Sequence, residues 1–333
     1  MTQKTIDILG IGNAVLDVII DGVDDQFIQD NNLIKSGMVL IDNQESTRLR
    51  TLKQTSETLA GGSVANTIAA LAELGLSTEL IATVGDDTYG QIFCDSLSSH
   101  QVGHDPAHIS NTQTSHCLVF ITEERERTMA THLGASQALK PSIIDEQKIA
   151  AAKYIYLEGY LFDLDNQATL LSHIIECCTK HDTKIILTLS DKNCIERHHE
   201  RYMTFIQNNV DIIFCNKAEL LALTQQTTYE NAQNTSSDIC PICVVTLGAS
   251  GAAIITKEET VITPAINVDK VEDKTGAGDF FAAGFIYRLS TDKPHITAEA
   301  AVTGSRSAAY IIQKRGARPR QDYKQFVLAE ESL

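Results

Sequence analysis

The chain has 333 residues, 43% of them hydrophobic, and its 27 Lys and Arg stand against 43 Asp and Glu for a formal charge of −16. That length and apolar content can bury a large core, whereas the charge disfavours general binding to nucleic acid or anionic membranes by long-range repulsion. No stretch approaches about 18 uninterrupted apolar residues, and positions 1–7 lack the basic and apolar regions of a signal peptide, so a cytoplasmic protein of a single domain over residues 1–333 is expected.

Short β-branched runs at 6–10, 79–84, 154–157, 184–189, 211–215 and 242–247 read as buried strands. Helical periodicity at 63–74, 89–99, 167–181 and 201–208 alternates with them. The alternation predicts an α/β fold with helices on both faces of a mostly parallel central sheet. Two regions, 15–41 and 114–131, instead carry extended alternating segments with no strong helix to cover a second face. They predict a small β-rich lid, with residues 122–126 as the turn of a hairpin. The polar segment 225–238 reads as a surface helix or loop.

Eight cysteines show no framework spacing and most stand in apolar runs, which reads as buried free thiols. Cys240-Pro241-Ile242-Cys243 has no second pair and runs straight into a strand, so metal or redox use is not assigned to it. His104 and His108, and the pair His198-His199, read as polar surface histidines and receive no metal-binding role.

In an open α/β sheet, ligands bind outside the carboxyl ends of the strands. After the first strand comes Gly10-Ile11-Gly12-Asn13-Ala14-Val15-Leu16-Asp17, where Val15 replaces the third glycine of a dinucleotide fingerprint. Gly61-Gly62-Ser63-Val64-Ala65-Asn66 opens a helix with two glycines, which reads either as a ligand approach or as a plain glycine-rich cap. Asn216-Lys217-Ala218-Glu219 places an amide and a carboxylate on one face of a starting helix, and Gly248-Ala249-Ser250-Gly251 follows the strand that ends at Leu247.

The most informative segment is Asp273-Lys274-Thr275-Gly276-Ala277-Gly278-Asp279, followed by an apolar run. The glycines allow a tight turn that gathers amide N–H groups where a helix begins, a geometry that holds an anion, and Asp279 falls in the first helical turn. A tight loop with a capping Asp is the plainer alternative. A P-loop needs Gly-Lys-Ser/Thr, and here Lys274 precedes the glycines. The Lys-Thr-Gly triplet also fails as a β-lactamase element, because the only Ser-x-x-Lys lies after it and no Ser-Asp-Asn exists.

With Gly61-Gly62-x-x-x-Asn66, Asn216-x-x-Glu219, Thr246-x-Gly248 and Asp273-x-Thr275-Gly276-Ala277-Gly278-Asp279 in order, nearly the whole chain resembles the ribokinase-like (PfkB-type) carbohydrate kinases, most of all adenosine-kinase-like members. The resemblance implies phosphorylation of a primary hydroxyl on a ribose-containing small molecule, using ATP and Mg2+, by a monomer or homodimer. It implies Asp279 as general base and the amides of Gly276, Ala277 and Gly278 as anion hole. Thr246, Gly248, Gly251 and Thr275 would line the ATP cleft, and Asn216 and Glu219 would organise Mg2+ and phosphates, Glu219 through water. Asp273 and Thr275, with the segment near Gly316, would surround K+. Asn13, Asp17, Gly61, Gly62 and Asn66 would hold sugar hydroxyls. Met38, Leu40, Cys117, Leu133 and Phe162 would wall a flat base and favour adenosine over a free sugar or sugar acid, with a catalytically silent nucleoside- or sugar-binding relative as a further alternative. Lys274 departs from the family pattern, pointing either to solvent or to nucleotide phosphates.

Overall fold

The computed structural model describes residues 3–122, 126–291 and 298–329. The short β-branched runs form the middle of a nine-stranded sheet. Ile6–Ile11 lies inside it, paired in parallel with Ala152–Glu158 on one side and Thr78–Ile81 on the other. Lys184–Thr188, Ile212–Asn216 and Ile242–Thr246 continue the parallel order outward. Ala252–Ile255 and Thr260–Thr263 then close that edge antiparallel, two strands that the sequence reading did not separate. Expected strand 79–84 divides into Thr78–Ile81 and Thr83–Gly85, the second pairing with Ala107–Ile109.

Alternate strand residues go to opposite faces, and both faces are covered. Leu9, Ile155, Leu157 and Ile185 join the helices Glu146–Ala151, Gln167–His181, Lys192–Asn209 and Lys217–Thr224 in one core. Ile8, Tyr156 and Ile186 join Ser63–Leu74, Thr88–Ser99, Ala277–Thr291 and Ala298–Ile311 in the other. The helix expected at 201–208 begins earlier, at Lys192, capped by the Asp191 carboxylate on the Cys194 amide. Its backbone leaves helical geometry at His198 (φ −125°, ψ 24°). Segment 225–238 carries the short helix Tyr229–Ser236.

The expected lid segments meet in a second sheet of five strands, ordered Met38–Leu40, Arg127–His132, Ser115–Thr122, Val15–Val23, Glu57–Ala60. The last strand lies outside both expected ranges. One face is not bare, contrary to the sequence reading: Ile28 of Asp25–Asp30 and Leu49 of Asn43–Leu52 pack on Val18, Ile20, Leu118 and Phe120. The Thr122 amide donates to the Glu126 carbonyl at 3.1 Å across the expected hairpin turn, whose residues 123–125 lie outside the described residues. The opposite face carries Ile19, Cys117, Val119 and Met129, with Asp17 directly across from Cys117.

No helix among the described residues is long and apolar enough to cross a membrane. All eight cysteines are free.

Candidate active site

Parallel strands aim their carboxyl ends at one edge of the sheet, and the segments leaving Ile11, Glu158, Thr188, Asn216 and Thr246 gather there. Glu158 ties two of them together. Its carboxylate accepts the backbone N–H of Asn13 at 2.8 Å and of Val64 at 3.1 Å, fixing the exit of the first strand against the start of helix Ser63–Leu74. Burial pushes its carboxyl up to about 7, opposed by those two hydrogen bonds. Gly62 is required between them: its φ of +89° lies in the left-handed region, and a Cβ there would sit 2.7 Å from the Asn13 carbonyl oxygen.

Helix Ser63–Leu74 then presents Ser63 and Asn66 to the amino end of helix Ala277–Thr291. Ser63 Oγ donates to Asp279 Oδ1 at 2.6 Å, and Asn66 Nδ2 donates to Asp279 Oδ2 at 2.7 Å. Burial raises the Asp279 carboxyl to about 6, against the pull of these two donors and of Arg318. Gly276 has φ +75°, and a Cβ there would lie 2.7 Å from Cβ of Ala317. Gly278 has open space where its Cβ would be. The Ala277 amide donates to the Lys274 carbonyl and the Phe280 amide to that of Gly276. The intervening first-turn amides have no carbonyl one turn back inside the helix, which leaves a positive cradle beside a carboxylate.

Two cavities open from this point. One of about 340 Å³ is lined by Ser63, Ser190, Asn216, Glu219, Gly276, Gly278 and Asp279. The other, about 500 Å³, is lined by Gly248, Gly251, Ile266, Val268, Val271, Ala308 and Ile312. They share Thr246, Lys274, Ala277, Gly278 and Phe281, so the cradle lies where they meet. A mainly apolar slot beside an amide cradle fits a nucleotide's base and phosphates. Lys274 is exposed at the junction rather than turned away from it. Asn216 and Glu219 form a reciprocal cap on helix Lys217–Thr224, and Glu219 accepts from both Asn216 N at 3.0 Å and Asn216 Nδ2 at 2.6 Å. Its carboxyl is pushed up to about 7, chiefly by burial and further by Asp191 and Asp279.

Behind the cradle, Asp273 Oδ1 accepts from the Thr275 amide at 2.9 Å, and Asp273 Oδ2 accepts from the Gly316 amide at 3.3 Å. Arg127 of the second sheet reaches the same carboxylate at 3.3 Å.

Near Asp279 lie Asn13, Asp17 and Gly61, joined to it through the Glu158 strand exit and the start of helix Ser63–Leu74. Asn13 is buried, yet its Oδ1 has no hydrogen-bond partner among the described residues, an unsatisfied acceptor that a ligand hydroxyl could serve. The Asp17 carboxylate lies so close that a Cβ on Gly61 would be 3.1 Å from it. Its pKa rises to about 6 through burial, against Arg127 and Arg318.

Arg318 is the principal residue that the sequence reading missed. Its Nη2 donates to the Gly61 carbonyl at 2.9 Å, its Nε to Ser96 Oγ at 3.1 Å, and its Nη1 to Asn66 Oδ1. That last bond turns the Asn66 amide so that its nitrogen faces Asp279. Burial lowers the guanidinium to about 10, still charged at neutral pH. Glu158 and Ser63 were missed as well, although a carboxylate closing an apolar strand run was a visible signal for the first.

The base wall expected from Met38, Leu40, Cys117, Leu133 and Phe162 does not assemble. Phe162 is 1% exposed in the core, its ring stacked on Tyr202 at 4.0 Å and edge-on to Phe205 at 5.8 Å, where no ligand reaches it. Leu40 and Leu133 line a separate cavity of about 1060 Å³ with His132 and Gln113. Met38 and Leu40 pair with Met129 and Thr131, whose other partners are Val119 and Cys117, so of the five expected residues Cys117 is the one directly across from Asp17.

The sequence profile of pfkB family carbohydrate kinases matches residues 32–322. The chain is similar to an ATP-dependent ribose-1-phosphate kinase of Halopiger xanaduensis, 30% identical over 70% of this chain and 74% of the relative. Among solved structures it is similar to an adenosine kinase from Sinorhizobium meliloti, with a TM-score of 0.89 and 31% identity over 95% of this chain and 96% of that one. A probable sugar kinase from Rhizobium etli superposes with a TM-score of 0.91 at 32% identity, covering 97% and 98% of the two chains. The strand-end motifs, the amide cradle and the buried carboxylate beside it therefore have a common explanation: the chain belongs to the pfkB family of carbohydrate kinases, ATP-dependent enzymes that phosphorylate sugars or nucleosides.

Proposed function

We propose that the enzyme phosphorylates the primary hydroxyl of a ribose-containing nucleoside, adenosine first among them, with Asp279 as the general base. The observation that carries this reading is the placement of Asp279. Its two oxygens are held by Ser63 and Asn66, it borders the amide cradle, and Asn13 Oδ1 and the Asp17 carboxylate lie near it as acceptors suited to sugar hydroxyls. ATP with Mg2+ supplies the phosphoryl group and neutralises its charge. Asp279 takes the hydroxyl proton, the Gly276, Ala277 and Gly278 segment steadies the charge on the transferring group, and Glu219 holds the cation through water.

Support for the nucleoside comes from the similarity to the Sinorhizobium adenosine kinase and from the apolar face of Ile19, Cys117, Val119 and Met129 adjoining Asp17, which takes the place of the Phe162 wall. A sugar or sugar phosphate is the second reading, favoured by the Halopiger relative and by Arg318 beside Asp17. Incubation with ATP and Mg2+ across adenosine, other nucleosides, ribose, ribose 1-phosphate, fructose and keto-deoxy sugar acids, with products identified by mass spectrometry, separates the two. Turnover of a sugar in preference to every nucleoside sinks the nucleoside reading and leaves the kinase standing.

The raised Asp279 carboxyl gives a pH dependence. With a folded-state pKa near 6 against an ordinary 3.8, the base is protonated below about pH 6, and kcat/KM is expected to fall there and level off above it. The sign for stability is opposite: holding this group ionised costs stability above about pH 6, a cost relieved as pH falls through that value. A pH–rate profile flat between 5 and about 8 would contradict the assignment.

Loop 273–275 and Gly316, joined through the Asp273 carboxylate, form the place where K+ would steady the cradle. The expected result is a higher rate in K+ than in Na+ or a bulky organic cation at equal ionic strength. Equal initial rates in all three would remove K+ from the account.

A further inference from the structure

On the far side of the Glu158 strand end, away from the nucleotide slot, three groups of metal-binding type converge. Asp163, Cys194 and His198 each offer a ligand atom, and these atoms lie within 4.8 Å of one another. Cys194 and His198 are four residues apart on helix Lys192–Asn209, so they share a face, and the helix departs from regular geometry at His198, the residue that supplies the imidazole. Cys194 is fully buried, and the Asp163 side chain is 4% exposed.

Present occupancy of these atoms is provisional. His198 Nε2 donates to Asp163 Oδ1 at 2.8 Å, while Arg197 reaches Oδ2 through Nη2 at 2.7 Å and Oδ1 through Nε at 3.2 Å. The Cys194 thiol has only weak partners, the Gly159 carbonyl at 3.4 Å and the Tyr202 hydroxyl at 3.5 Å. Arg197 is 40% exposed and can swing into water, so the positive charge that balances Asp163 is replaceable.

We propose that Asp163, Cys194 and His198 form a binding site for a thiophilic divalent cation of the zinc type, distinct from the Mg2+ used with ATP. Thiolate, imidazole and carboxylate are the donor set that zinc takes in preference to Mg2+, and three protein ligands leave one position for water. On binding, the Cys194 proton goes to solvent, the His198 ring gives up its Nε2 proton and carries one at Nδ1 instead so that the Nε2 lone pair meets the metal, and Arg197 leaves Asp163. The site is linked to the catalytic cleft: Gly159, whose carbonyl receives the Cys194 thiol, donates its own amide to Ser190 Oγ at 2.9 Å, and Ser190 lines the phosphate cavity.

The test is a titration of metal-free full-length protein with Co2+, without nucleotide or Mg2+, followed by absorption. One equivalent is expected to produce a thiolate-to-cobalt charge-transfer band with tetrahedral ligand-field absorption. Cys194→Ser should abolish the charge-transfer band, whereas Cys94→Ser, remote from the cluster, should retain it. His198→Gln, at a partly exposed position that tolerates the change, should weaken Co2+ affinity at least about 10-fold, the effect expected even for outer partners of a metal site. No band in wild type, a band that survives Cys194→Ser, or an unchanged affinity in His198→Gln overturns the proposal. Because His198→Gln keeps the buried thiol, it decides the question even if Cys194→Ser does not fold.

Discussion

Asp279→Asn is expected to lower kcat by about 10²–10⁴-fold while leaving the dissociation constants of both substrates close to wild type. Size and shape are preserved, and one amide oxygen still accepts from Ser63 or Asn66. What disappears is the group able to take a proton. The decline of the residual rate below about pH 6 should also become shallower, because one of the two carboxyls raised to about 6 is gone while Asp17 remains. Single-turnover phosphorylation and calorimetric titration measure the two effects separately. Wild-type turnover in the purified variant, or a loss explained wholly by weaker binding, would remove Asp279 from the role of base.

Phe162→Ala is the second large effect, on stability instead of specificity. The ring is buried against Tyr202 and Phe205 in the core beside helix Lys192–Asn209, and truncating a buried aromatic side chain costs about 3–5 kcal/mol through lost transfer energy and an imperfectly collapsed cavity. Denaturant unfolding should show that loss. The ratio of kcat/KM for adenosine to that for ribose should be unchanged at temperatures where the variant stays folded. A selective loss of nucleoside use would mean that the ring meets the base after all.

The contrast between these two residues shows what was legible in the sequence. Asp279 was readable because its chemistry is local: a glycine turn, a helix start and a carboxylate in the first turn occupy consecutive positions. The strand-end motifs were readable for the same reason, and alternation of strands with helices gave the parallel sheet. Phe162 was misplaced because apolar character does not tell which side of a sheet a residue packs on, and the short turn Gly159–Asp163 delivers it to the core. Arg318 was invisible, since nothing in the spacing of Arg315, Arg318 and Arg320 singles out the one that reaches the site. Only the fold brings it to Gly61 and Asn66, more than 250 positions earlier. The metal-type cluster was half hidden: Cys194 stands four positions before His198, but Asp163 joins them only when the chain returns it.

The chain of bonds from Arg318 through Asn66 to Asp279 also orders events during synthesis. Asn66 and Asp279 are both made before Arg318, and until the loop containing Arg318 docks, Asn66 Oδ1 lacks the donor that holds it turned away from the carboxylate. A growing polypeptide can thus complete its nucleotide slot while its base is still unaligned. Competence to transfer phosphate therefore waits for the loop that carries Arg318, although both ends of the Asn66–Asp279 bond were made earlier.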